Sequence, residues 1–294
     1  MINVLSLFDG MSCGQIALER ANIKVDNYYA SEIDKYAIQI AKKNYPNTKH
    51  IGSVTEVKAS DLPKIDLLIG GSPCQGFSFA GKQLNFEDER SKLFFEYVRL
   101  LKECKPKYFL LENVKMKKEY QDIISDYLGV EPIKINSSLV SAQNRERLYW
   151  TNIKNIEQPE DKGIILSDIL EKDKDIDFVD SFKNCVRKNL LNIDVNNYLK
   201  PNGFAQIPTN SGFQDHKVSI DKSPCLRAGN SFTLVQTRKK GIRLATTLEW
   251  ERLQTVPDNY TEGVSNSQRY KMLGNGWTIS VISHIFSHLP KNVI

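Results

Sequence analysis

Residues 65–78 read Ile-Asp-Leu-Leu-Ile-Gly-Gly-Ser-Pro-Cys-Gln-Gly-Phe-Ser. The apolar run 65–69 gives way to two glycines, then to Pro73-Cys74 and a polar loop containing Gly76. A short apolar run bounded by glycine and proline reads as a buried strand. A cysteine kept for packing would sit inside that run. Cys74 sits just past it, where a chain leaves a sheet and reactive groups are mounted.

The flanking sequence repeats the pattern. Residues 2–8 (INVLSLF) read as a strand, followed by a helix from Gly14 to Ala21 and a second strand at 25–31 that ends on Ser31-Glu32. Asp34 caps a helix running to Asn44, which Tyr45-Pro46 stops. Ser91 to Cys104 is an amphipathic helix with Leu93, Phe94, Tyr97, Val98 and Leu101 on one face. A strand follows at Tyr108–Leu111, then a helix at 117–128 and strands at 133–140 and 147–153. Alternating strand and helix predicts an α/β fold with a doubly wound, mostly parallel sheet. Ligands of such sheets bind at the carboxyl ends of the strands. Asp9-Gly10, Glu32, Pro73-Cys74 and Glu112-Asn113 all fall at such ends.

Residues 156–242 break the rhythm, with more Asn, Lys, Ser and Gly and only short apolar runs, so a second, irregular domain is expected there. Periodicity returns at Thr246-Thr247-Leu248-Glu249, a capping box opening a helix through Gln254. The last helix is expected from Trp277 to Leu289. The chain shows no internal repeats.

The 294 residues suffice for one large domain, or one plus a smaller one. The five cysteines are odd in number and lack CxxC spacing, which argues against a disulfide framework or a zinc site and for a reducing cytosol. No apolar stretch approaches the roughly 20 residues of a membrane span. The start lacks a basic leader, so no signal peptide is expected. Net charge is +5 and unevenly spread. Residues 156–180 hold nine acids against three lysines, and 181–242 hold ten Lys/Arg against three aspartates. The basic block suits a polyanionic partner; on charge alone a solvated surface is the plainer account.

Phe8-Asp9-Gly10, with Gly14 four residues on, forms a strand-to-helix turn. Glycine there lets a ligand approach the backbone, and a helix start offers free N–H groups. The spacing is not GxGxxG. Glu32 is placed to accept ribose hydroxyls, or else is an exposed acid leading a helix. Cys74, Glu112 and the run Gln143-Asn144-Arg145-Glu146-Arg147 bring a thiol, a carboxyl and two guanidiniums to strand ends. Arginine raises the thiolate fraction of a thiol, and an enclosed carboxyl can be held protonated to donate a hydrogen bond. Together they suggest covalent catalysis on an electron-poor ring. Taken singly, Cys74 could be an inert buried cysteine, Glu112 part of a strand-end salt bridge, and Arg145 and Arg147 surface partners of Glu146.

In this order the blocks resemble the DNA cytosine-5 methyltransferase family. Phe8-Asp9-Gly10…Gly14 matches its first S-adenosylmethionine motif, Ser31-Glu32-Ile33-Asp34 the second, Gly71-Ser72-Pro73-Cys74-Gln75 the nucleophile motif, and Glu112-Asn113-Val114 the ENV motif. Gln143-x-Arg145-x-Arg147 matches QxRxR, Arg243 to Pro257 the late helix motif, and Leu273-Gly274-Asn275-Gly276 the last one. The match covers nearly all of 1–153 and 243–294. It implies a Rossmann-like class I methyltransferase domain over 1–171 and 243–294, with a small irregular target-recognition domain over 172–242.

The resemblance also implies a reaction. Cys74 adds to carbon 6 of a cytosine flipped out of double-stranded DNA, and Glu112 acts at ring nitrogen 3. Carbon 5 takes the methyl group of S-adenosylmethionine, water removes the proton, and Cys74 leaves. Arg145 is expected at the exocyclic oxygen, with Arg147 orienting the site; no metal is required. The target base must be extruded from the stack, and the loop from Gln75 to about Arg90 is expected to close over it. Expected cofactor contacts are Phe8, Asp9, Gly10, Gly14, Glu32, Ile33, Ser53, Val54 and Asn275. Expected DNA contacts are Gln75, Ser78, Arg227, Gly229, Asn230, Ser231 and Arg238.

Two positions depart from the family pattern. Ser53 stands where many members place an Asp that meets the adenine amino group, and Gly276-Trp277 replaces a Ser-Val-type pair. Trp277 resembles the animal de novo methyltransferases, or is a plain core aromatic. With no N-terminal extension, the chain reads as a minimal prokaryotic or phage enzyme. It is expected to be a cytoplasmic monomer serving restriction–modification, with or without a partner endonuclease, or phage protection. Alternatives from other classes are a tRNA cytosine-5 methyltransferase, a non-catalytic DNA-binding regulator and, on strand order alone, a nicotinamide-dependent oxidoreductase.

Overall fold

The computed structural model describes residues 1–73, 89–171, 204–208, 218–219, 221–228, 231–237 and 241–290. Cys74, Gln75, Ser78, Gly229, Asn230 and Arg238, most of the loop 75–90 and most of 172–242 lie outside the described residues. The chain divides into two compact units: Met1–Asn136, Glu146–Pro159 and Ile279–Ile294 in the first, and Ser137–Arg145 and Glu160–Thr278 in the second.

In the first unit β1 (Ile2–Leu7) pairs in parallel with β2 (Val25–Ser31) on one side and β4 (Leu67–Gly70) on the other. With β3 (Lys49–His50), β5 (Tyr108–Val114), β6 (Ile133–Asn136) and β7 (Glu146–Thr151) they form a seven-stranded sheet of order β3-β2-β1-β4-β5-β7-β6. Strand β7 runs antiparallel to both its neighbours. The sheet is therefore mostly parallel, as the alternation predicts, with one reversed strand near its edge.

Both faces are covered, so the central strands carry apolar residues on both sides. Helix α1 (Cys13–Arg20) follows β1, and α2 (Lys35–Asn44) follows β2. The Asp34 carboxylate caps α2 by accepting from the Tyr36 N–H at 2.9 Å. Helix α3 (Glu89–Cys104) follows β4 and buries Phe94, Tyr97, Val98 and Leu100 in a core shared with Leu5, Leu68, Leu111 and Trp150. Helix α4 (Lys118–Leu128) ends at Gly129, which is left-handed at φ +69°. The Trp150 indole of β7 donates to Ser125 Oγ of α4 at 3.0 Å.

The second unit contains α5 (Leu166–Ile169) and a four-stranded antiparallel sheet of order β11-β10-β8-β9. Its strands are β8 (Phe204–Pro208), β9 (Val218–Ser219), β10 (Ser231–Thr237) and β11 (Gly241–Leu244). The segment expected to be irregular thus contains antiparallel strands in an order of their own. Helix α6 (Thr247–Leu253) opens on the expected capping box, Thr246 with Glu249. Helix α7 (Asn266–Asn275) was not expected; it carries Leu273-Gly274-Asn275 at its end.

The last helix, α8 (Ile279–Phe286), returns to the first unit and packs on α1. It is shorter than expected at both ends. No helix among the described residues is long and apolar enough to cross a membrane.

Candidate active site

The turn from β1 into α1 alternates its backbone handedness. Phe8, Gly10 and Ser12 all have positive φ, at 57°, 58° and 65°. A non-glycine residue in that region costs about 1–2 kcal/mol, so something must hold Phe8 and Ser12. Asp9 does so from inside. Its Oδ2 accepts from Ser12 Oγ at 2.5 Å and its Oδ1 from the Tyr28 hydroxyl at 2.7 Å, while its N–H donates to Ser31 O at 3.1 Å. Burial pushes the Asp9 carboxyl up to about 6, against hydrogen bonds from Ser12, Ser6 and Tyr28. The same burial pushes the Tyr28 hydroxyl up. The Asp9 side chain therefore shapes the loop from behind. Sequence reading missed Tyr28, an ordinary strand aromatic whose partner appears only when β2 pairs with β1.

Glu32 faces the same turn. Its carboxylate accepts from the N–H groups of Gly10 at 2.8 Å, Ile33 at 2.7 Å and Asp34 at 2.8 Å. A carboxylate offers about four acceptor positions, so one, on Oε2, is left for a ligand hydroxyl. Gly14 also has a packing part. A Cβ there would meet Ile69 Cδ1 and, at 2.6 Å, the Tyr28 hydroxyl, so this glycine lets α1 lie close on the sheet. A Cβ on Gly10 would meet nothing within 4 Å, leaving open space over the loop. Ile33 is 77% exposed. Ser53 Oγ is hydrogen-bonded to Thr55 Oγ1 at 2.8 Å, and Val54 is buried. Arg99 of α3 holds that turn by donating to Val54 O at 3.2 Å and Val57 O at 3.0 Å.

Glu112 and Asn113 lie inside β5 rather than beyond its end, because β7 extends the ladder alongside them. Glu112 stands opposite Tyr149, and Val114 opposite Arg147. Glu112 and Arg147 are therefore diagonal neighbours on one face, a spacing that a long side chain can bridge. Arg147 Nε lies 3.0 Å from Glu112 Oε1, with side chains only 13% and 11% exposed. Asn113 Nδ2 reaches Ser72 Oγ at 3.4 Å, joining β5 to the segment that leads into Pro73-Cys74.

Arg145 belongs to the second unit, and its guanidinium is committed there. It donates to Leu226 O at 3.0 Å, Gly276 O at 2.9 Å, Gly274 O at 3.3 Å and Cys225 Sγ at 3.3 Å. Arg145 is only 3% exposed, so its guanidinium is held among these acceptors. Gln143 accepts from the Leu226 N–H at 2.9 Å and donates to Leu253 O at 3.1 Å. Gln254, read in the sequence only as the end of a helix, satisfies both ends of its amide with Leu273 O, Gly276 O, Gln143 and Thr278. Asn275 and Arg227 are exposed, and Ser231 opens β10.

The strand order with a reversed seventh strand, and the glycine turn facing a strand-end carboxylate, define a class I methyltransferase fold. The Dnmt2 methyltransferase of S. pombe has this fold, with a TM-score of 0.68 at 19% identity over 98% of this chain and 97% of that one. The family described as C-5 cytosine-specific DNA methylase matches residues 2–291. The type II methyltransferase M1.ScrFI of Lactococcus lactis subsp. cremoris is 32% identical over 96% of this chain and 76% of its own length. The orphan methyltransferase M.SPRI of Bacillus phage SPR is 38% identical over 52% of this chain and 38% of its own. The chain belongs to the C-5 cytosine-specific DNA methylase family and is a DNA (cytosine-5) methyltransferase. Membership implies an S-adenosylmethionine-dependent reaction on DNA. The open space over Gly10, the exposed Ile33 and the Glu32 carboxylate fit that cofactor's mixed apolar and hydroxyl-bearing surface.

Proposed function

We propose that the enzyme methylates carbon 5 of a cytosine flipped out of double-stranded DNA through a transient bond from Cys74 to carbon 6. The buried Glu112–Arg147 pair carries this reading. It sets a carboxyl, held by a guanidinium, on the strand whose Asn113 reaches Ser72, two residues before Cys74. Cys74 adds as thiolate to carbon 6 of the ring. Glu112 supplies a hydrogen bond or a proton at nitrogen 3, which spreads the charge that the addition creates. Arg147 fixes the Glu112 carboxyl.

S-adenosylmethionine, when bound, supplies an electrophilic methyl group. Phe8, Asp9, Gly10, Gly14, Glu32, Ile33, Ser53, Val54 and Asn275 form its site, Asp9 by shaping the loop and Gly14 by letting α1 lie close to it. Once carbon 5 is methylated, water removes its proton, the carbon–sulfur bond breaks and Cys74 recovers its thiolate. The loop 75–90, with Gln75 and Ser78, closes over the extruded base, and 172–242 recognises the target sequence. Arg145 serves through the chain segments it holds. The enzyme works as a cytoplasmic monomer and gives protective methylation, beside a restriction endonuclease or as an orphan.

The test is a duplex with 5-fluorocytosine at the methylated position. With S-adenosylmethionine present it should become irreversibly attached to the wild-type chain and not to Cys74→Ser. Full methylation by Cys74→Ser, or no attachment by a wild type that methylates normal DNA, removes the covalent mechanism.

A further inference from the structure

Residues 221–228 are held more tightly than a surface segment requires. The Lys222 ammonium donates to Ser138 O at 2.7 Å, Ser141 O at 3.1 Å and Ile164 O at 2.6 Å, using all three of its protons. Ser223 bridges Gln143 in parallel register: its N–H donates to Ala142 O at 2.6 Å and its carbonyl accepts from Asn144 N–H at 2.8 Å. The Asp221 carbonyl accepts from Leu166 N–H at 2.9 Å. Both polar groups of the Leu226 main chain are taken, one by Gln143 and one by Arg145.

Beyond Leu226 the backbone runs against Gly274. A Cβ on Gly274 would come within 2.5 Å of Ala228 N and 2.6 Å of Arg227 C, both main-chain atoms that cannot swing aside. At the end of this clamped stretch stands Arg227. It is exposed and makes no hydrogen bond or ion pair with any described residue.

We propose that residues 221–228 are a rigid strap presenting the Arg227 guanidinium to a DNA phosphate, with Lys222 and Gly274 as the positioning residues that fix its backbone. This rests on the reading that the basic part of the second unit docks DNA. Bidentate reading of a base edge fixes the plane of a guanidinium, which a neighbouring side chain can hold. Arg227 has no such neighbour among the described residues, only a fixed point of departure, which suits a contact that positions rather than specifies. The strap also gives the buried Gln143 and Arg145 a task away from the reacting ring.

The experiment measures duplex affinity between 50 and 200 mM salt for the full chain and its variants Arg227→Gln, Lys222→Met and Lys222→Met/Arg227→Gln. Replacing Arg227 should flatten the log–log salt slope by about one and weaken cognate and non-cognate duplexes alike. Lys222→Met should weaken binding several-fold, and the double variant should add little, because both changes disable the same contact. Arg227 is on the surface, so its variant tests the proposal even if Lys222→Met folds poorly. A wild type indifferent to duplex DNA overturns both the docking reading and the strap. A wild type that binds with normal salt dependence, while Arg227→Gln keeps the full slope or the two losses add in full, overturns the strap alone.

Discussion

Asp9 is a carboxyl sealed from water so that a backbone turn keeps its shape. Its folded value of about 6 lies above the ordinary 3.8 of an aspartate, so the fold favours the protonated form. Its contribution to stability is complete below 3.8 and is lost as pH rises through 6. Urea unfolding of the wild type, compared with Asp9→Asn, should therefore show a difference that changes by roughly 3 kcal/mol between pH 4 and 6 and stays flat above. A difference that instead grows in favour of the wild type with rising pH would mean that the charged form is the one held. Arg147→Met leaves Glu112 without its 3.0 Å partner. Methyl transfer in a single turnover should fall about a hundredfold, and thermal unfolding should show a loss of about 3 kcal/mol. The residue types of this site were legible in the sequence, but their partners were not. Glu112 meets Arg147 because an antiparallel register sets them two positions apart across a ladder, and no local pattern encodes a register between distant strands.

Single elements were legible where local chemistry decides them. Strand β4 and the Asp34-capped α2 follow from an apolar run, a cap and a proline stop. The Thr246 box opening α6 is equally local, and Thr246→Ala should cost about 1 kcal/mol in thermal unfolding. Elements set by neighbours were harder to see. Strand β5 runs three residues past its apolar core because β7 pairs beside it. Helix α7 buries only Met272, Leu273 and Gly274, too few for a helical stripe to show in sequence. The packing of Gly14 against Ile69 and Tyr28 was not legible either, because both partners come from other strands. Gly14→Ala should force α1 off Ile69 and Tyr28 and lower stability by about 1–3 kcal/mol. Calorimetry that finds the variant as stable as wild type would mean the helix has room that the contacts deny.

At the scale of the whole molecule the family, the sheet and the order of motifs were legible, because they rest on runs and spacings. The sheet of the second unit was less so, because its strands are short and lie in a basic, polar stretch. Exchanging 172–242 for the equivalent segment of a relative with a different target should move methylation to that relative's sequence, read by bisulfite sequencing. Retention of the original target would place recognition elsewhere. The first unit is assembled from three stretches of chain, and the last of them supplies α8, the partner of α1. A helix made early must therefore wait for one made much later in the chain. Until the ribosome has released residues 279–286, α1 lacks the apolar surface that completes its burial. A nascent chain stalled at residue 278 should consequently be an early substrate for chaperones and proteases, even though most of its motifs are already present.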